Sequence, residues 1–89
     1  MPDHPTVRLL FFSALRDVAG VDAVDWPWPP TSGADATVSG LLGEVYARWP
    51  ALAVWDGRLL VAVDLDYAAR ETPLRAGQEV AVMPPVQGG

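Results

Sequence analysis

The chain of 89 residues has no cysteine, no lysine and a single histidine, His4. Lacking cysteine, it can form no disulfide, thiolate metal site or cysteine nucleophile. His4 precedes the first predicted strand, so no base is placed for a Ser/His/Asp arrangement and no second histidine for a metal cluster. Gly40 and Gly43 are not followed by the Lys-Ser or Lys-Thr of a phosphate loop. Without lysine, the chain's only acceptor for amide conjugation is its N-terminal amine. No apolar run approaches a membrane span. The apolar residues 9–15 are bracketed by Asp3-His4 and Arg16-Asp17, which suits a first strand better than a signal peptide and points to the cytoplasm.

The formal charge is −5, and all basic residues are arginine. That balance argues against nucleic acid, whose phosphates require a basic face, and favours a basic partner surface. A hydrophobic content of 51% with four tryptophans indicates a folded globule, and the length allows one domain, residues 1–89, with one core. No pair of carboxylates falls in an evident cleft, so an independent active site is not expected. Asp64 and Asp66 are turn residues or, with no further ligand at calcium-loop spacing, a weak cation pair.

The densest signal is the last stretch, Glu79-Val80-Ala81-Val82-Met83-Pro84-Pro85-Val86-Gln87-Gly88-Gly89. Alternation over residues 79–83 predicts a strand with one buried face. Pro84 and Pro85 lack N–H groups and fix φ, so they end the strand and direct an extended, flexible tail, residues 84–89, away from the body. Gly88 and Gly89 carry no Cβ, so the final carboxylate can enter a narrow channel. A frayed terminus is the plain alternative. The direct succession of strand, prolines and glycines favours a presented group. A carboxylate is a poor acyl donor until activated, most simply as a mixed anhydride with AMP, which sulfide could displace to leave a thiocarboxylate.

Upstream, residues 7–13 predict a first strand with Val7, Leu9 and Phe11 on one face and Arg8, Leu10 and Phe12 on the other. Both faces turn apolar, so Leu10 and Phe12 either touch a partner or lie under a loop. Ser13 is placed to cap a short helix over residues 14–19 closed by Gly20, on which Arg16 and Asp17 are by default a solvated pair, with anchoring of the first loop the role expected of Arg16 ahead of catalysis. Residues 21–26 alternate as a second strand. The following Pro27-Trp28-Pro29-Pro30 loop is either a recognition segment or a fold-over in which Trp28 caps the core.

Thr37 starts the main helix, whose stripe of Val38, Leu41, Leu42, Val45, Tyr46 and Trp49 stops at Pro50. The Tyr46-Trp49 pair serves as core or, as a remote alternative, as a cofactor platform. Residues 51–55 predict an irregular connection, Asp56-Gly57 a turn, residues 58–63 a strand, and Tyr67-Ala68 a brief further strand. Leu74 is expected to plug the base of the core, and residues 76–78 to turn into the last strand.

Two blocks, the ending above and Leu9-Leu10-Phe11-Phe12-Ser13-Ala14-Leu15-Arg16-Asp17-Val18-Ala19-Gly20, resemble the small, sulfur-carrying subunits of molybdopterin synthase. With the Asp56-Gly57-Arg58-Leu59-Leu60-Val61-Ala62-Val63 stretch between them, the resemblance spans most of the chain. It implies an α+β, ubiquitin-like β-grasp fold, a mixed sheet covered by one main helix. It also implies that an enzyme of the ubiquitin-E1 type uses ATP to adenylate Gly89. A sulfur donor protein would then supply sulfur, and the tail would enter the large synthase subunit to act on cyclic pyranopterin phosphate. On this resemblance Gly89 carries the sulfur, Gly88 gives clearance, and Pro84, Pro85, Val86 and Gln87 set reach. Phe12, Tyr67 and Met83 form the centre of the partner contact, and the chain binds no metal or cofactor of its own. Another sulfur acceptor, such as thiamine thiazole or tRNA, a protein modifier, or an inert interaction module stand as alternatives. The longer proline-tryptophan loop, Ser13 and Val82-Met83 depart from the family pattern.

Overall fold

Alternating apolar residues in short runs, broken by one long apolar stripe, fold as a single sheet with helices on one side. The computed structural model describes residues 5–85; residues 1–4 and 86–89, including His4, Val86, Gln87, Gly88 and Gly89, lie outside the described residues. In chain order the elements are β1 (Thr6–Phe11), α1 (Ala14–Ala19), β2 (Ala23–Pro27), α2 (Val38–Arg48), a 3-10 helix (Pro50–Arg58), β3 (Leu60–Val63), β4 (Asp66–Tyr67) and β5 (Glu79–Met83).

The sheet order is β2-β1-β5-β3-β4. β1 and β5 run parallel, and the other neighbours pair antiparallel. The last strand therefore lies at the centre, bonded on both sides. Val7, Leu9 and Phe11 of β1, Val61 and Val63 of β3, and Val80 and Val82 of β5 form the buried face. Val38, Leu41, Leu42 and Val45 of α2 join them in one core cluster. Leu74 is buried, as its apolar character in a polar loop predicts.

α2 begins as the sequence suggests. Thr37 is extended, and its side chain accepts a hydrogen bond from the Gly40 N–H, satisfying one of the free donors of the first turn. Gly20 closes α1 in the left-handed conformation, with its N–H on the Arg16 carbonyl. Trp28 takes the fold-over alternative. Only 2% exposed, it donates from its indole Nε1 to the Leu74 carbonyl at 3.0 Å, so it is not displayed to a partner. Its loop is tied down further by Glu44, which accepts from Trp26 Nε1 and Ser32 Oγ. Trp49 packs edge-on against Phe11 and tilted against Trp26, with the Arg48 guanidinium over its ring. Those contacts make the ring part of the packing between α2 and the sheet.

Several expectations are corrected. Ser13 makes no side-chain capping bond, and its φ of 55° departs from the extended backbone that a capping residue takes. Backbone bonds from Leu15 to Phe12 and from Arg16 to Ser13 serve that turn instead. The Arg16 side chain is exposed and forms no ion pair among the described residues, so its part in the loop is the carbonyl that closes α1. β1 stops at Phe11 rather than residue 13. β2 is displaced by a residue or two and includes Pro27, whose missing N–H is tolerated on an edge strand.

The connection predicted as irregular, with a turn at Asp56-Gly57, is a 3-10 helix that delays β3 to Leu60. Pro50 presets its first φ. Its end is held by Asp56, which accepts from Tyr46 Oη at 2.5 Å and from Arg70 at 2.8 Å, while Arg70 also donates to the Asp56 carbonyl. These bonds, led by that from Tyr46, hold the Asp56 carboxyl below its ordinary range. Burial, then the Asp56 contact, pushes the Tyr46 phenol up, so it remains a donor at any ordinary pH.

Candidate functional site

The face of the sheet away from α2 is the candidate site, and strand register sets its composition. Leu10 of β1 pairs with Ala81 of β5, Ala81 with Ala62 of β3, and Ala62 with Tyr67 of β4. One row further on, Met83 pairs with Leu60, and the Phe12 N–H donates to the Val82 carbonyl. The outward residues of both rows are apolar. One row in the other direction, Arg8 stands between Asp25 and Glu79 and lies 3.8 Å from the Asp25 carboxylate. The face is thus apolar toward the end of β5 that leads into Pro84 and charged toward the opposite end.

Small residues in the middle of the apolar rows make the face concave. Ala62 and Ala81 form the floor, and Phe12, Leu65, Tyr67 and Met83 the walls, of an open hollow of about 270 Å³. Phe12 is 45% and Tyr67 75% exposed. Such rings are costly to leave in water and form a contiguous apolar patch. Phe12, Tyr67 and Met83, singled out in the sequence, are brought together here. Pro84 and Pro85 follow Met83 directly, half-buried and outside any strand. Val86, Gln87, Gly88 and Gly89 lie outside the described residues.

Three wall and floor residues were not anticipated. Ala62 and Ala81 carry no signal in sequence because their role is to be small. Leu65 stood in a predicted turn; an apolar side chain between two aspartates was the available cue. Asp64 does serve that turn, accepting from the Glu79 N–H at 2.9 Å and from Gln78 Nε2 at 3.1 Å. Among the described residues no three His, Cys, Asp or Glu side chains are grouped to hold a metal ion, and no helix is long and apolar enough to cross a membrane.

A five-stranded mixed sheet, one main helix across it, and a central last strand that runs out through two prolines define a ubiquitin-like β-grasp protein. Solved structures agree. Small archaeal modifier protein 1 from Haloferax volcanii superposes with a TM-score of 0.74 at 29% identity, covering 92% of this chain and 99% of that one. The fold is shared at 20% identity and a TM-score of 0.63 with the complex of subunits 1 and 2 of molybdopterin-converting factor from Helicobacter pylori, over 94% of this chain and 99% of that chain. Residues 9–89 match the ThiS family. The molybdopterin synthase sulfur carrier subunit of Escherichia coli is 38% identical over 86 residues, spanning 93% of this chain and 99% of its own. The chain belongs to the ThiS family and is similar to the molybdopterin synthase sulfur carrier subunits.

Proposed function

We propose that this protein is the sulfur-carrying subunit of a molybdopterin synthase in the cytoplasm, and that the sulfur travels as a thiocarboxylate on Gly89. The observation that carries this reading is the path of β5. A strand bonded on both sides leads through Pro84 and Pro85 into the Gly-Gly ending, beside an apolar hollow with no catalytic groups in it. That arrangement suits a chain that delivers a group to another protein's active site.

In this scheme the Gly89 carboxylate attacks the α-phosphate of ATP on an adenylating enzyme of the E1 type and releases pyrophosphate. Sulfide from a donor protein then adds to the acyl carbon and expels AMP, so that one oxygen is replaced by sulfur. Gly88 supplies clearance, and residues 84–87 supply reach. The hollow walled by Phe12, Tyr67 and Met83 docks on the large subunit. There the sulfur passes to cyclic pyranopterin phosphate, one carrier being used for each sulfur of the dithiolene.

The test is the intact mass after incubation with the host's adenylating enzyme, ATP and a sulfur donor, beside a Gly89-deleted control. A gain equal to the exchange of one oxygen for sulfur, absent from the control, is expected. No gain, with an enzyme that adenylates a known carrier in the same tube, would refute the assignment. Its likeness to a small archaeal modifier protein favours conjugation as the second reading. A covalent adduct to a lysine of another protein would mark that outcome.

A further inference from the structure

Leu65 bears two costs that folding does not return. Its φ is +74°, in the left-handed region where a Cβ crowds the backbone. With Asp64 at +49° it forms the two-residue link between β3 and β4, a position where Asn-Gly is the usual choice. Asp64 is rewarded by its bonds to Gln78 and Glu79. Leu65 is not, for it is 88% exposed and lies outside the core. A strained backbone under an exposed apolar side chain points to a use outside the folded monomer.

Two surroundings indicate that use. Leu65 forms one wall of the hollow, beside Tyr67 and across from Phe12 and Met83. It is also flanked by the exposed carboxylates of Asp64 and Asp66, and residues 59–69 contain no arginine or lysine in a chain of net charge −5. The tip of the hairpin is therefore an apolar knob in a negative collar.

We propose that Leu65 inserts into an apolar socket rimmed by arginine or lysine on the partner protein, and that it sets the affinity of the complex as Phe12 and Met83 alone would not. This rests on the hollow being the docking face for the large subunit. Burying a leucine that is almost fully exposed corresponds to a gain of about ten-fold or more in affinity.

The experiment is calorimetric titration of the full chain with its cognate large subunit. Leu65→Asn removes the apolar group, and asparagine accepts the left-handed backbone. Leu65→Met keeps an apolar side chain on the same backbone. Leu65→Asn should weaken binding by about ten-fold or more with a Tm no lower than wild type, while Leu65→Met stays within about three-fold of wild type. Full affinity in Leu65→Asn, alongside weakened binding in Phe12→Ala and Met83→Ala, would overturn the knob and leave the docking face standing. Full affinity in all three would overturn the docking face itself. Added salt should weaken wild type more than Asp66→Asn; equal salt dependence would overturn the cationic rim.

Discussion

Alanine at Gly40 and at Gly43, three residues apart in α2, should move stability in opposite directions. Helix propensity favours alanine at either site by about 1 kcal/mol. A Cβ at Gly43 would meet no atom within 4 Å, so Gly43→Ala should realise that gain and raise Tm by about 4–8 °C for a domain of this size. At Gly40 a Cβ would fall 1.7 Å from the carbonyl oxygen of Asp35 and 2.7 Å from its carbon. Since unstrained contacts lie near ~3.5 Å, the loop backbone would have to retreat by more than about 1 Å.

That loop is not free to retreat. The Ala36 carbonyl accepts from the Leu74 N–H at 2.9 Å, and the Val38 N–H donates to the Thr72 carbonyl at 3.0 Å. Against a pinned backbone so close an overlap puts the cost at the upper end of the usual overpacking range, about 2–3 kcal/mol, which outweighs the propensity gain. Gly40→Ala should therefore lose about 1–2 kcal/mol net and melt roughly 4–8 °C or more below wild type. Urea and thermal unfolding of the two variants beside wild type measure both signs. A Gly40→Ala protein as stable as Gly43→Ala would refute the close approach of residue 35 to the helix.

Trp28→Phe keeps most of the apolar volume but leaves the Leu74 carbonyl without its donor, so it should cost about 1–3 kcal/mol in urea unfolding; an unchanged midpoint would show that water replaces the indole. Asp56 titrates below its ordinary 3.8 because of Tyr46 and Arg70. A depressed carboxylate contributes stability above the unfolded pKa and loses it as pH falls through the folded one. The Tm gap between wild type and Asp56→Asn should accordingly be full at neutral pH and close below about pH 4. It should also be small, since the group is exposed, and a gap that persists undiminished in strong acid would disprove the linkage.

Periodicity made most of the fold legible. The stripe from Val38 to Val45 and the alternation of β1 and β5 specify a helix and two half-buried strands, because each pattern suits only one backbone period. Phe12 and Met83 were placed on the outer face by strand alternation, whereas Tyr67 was placed beside them only by the family resemblance. The 3-10 helix was hidden because its end depends on Asp56 meeting Tyr46 and Arg70, contacts 10 and 14 residues away. Ser13 was misread for a related reason. A positive φ at a residue other than glycine is imposed by surrounding structure and leaves no mark in the residue's own preferences.

The central position of β5 also determines how the molecule bears mechanical load. A protein that grips the segment beyond Pro85 and draws it into a channel pulls along the axis of β5. The strand is held by β1 on one side and β3 on the other, so the force loads both ladders in shear, all bonds together. An edge strand peeled from the sheet would instead surrender its bonds one at a time. The C-terminal end of β5 is thereby fastened on both sides to the middle of the sheet.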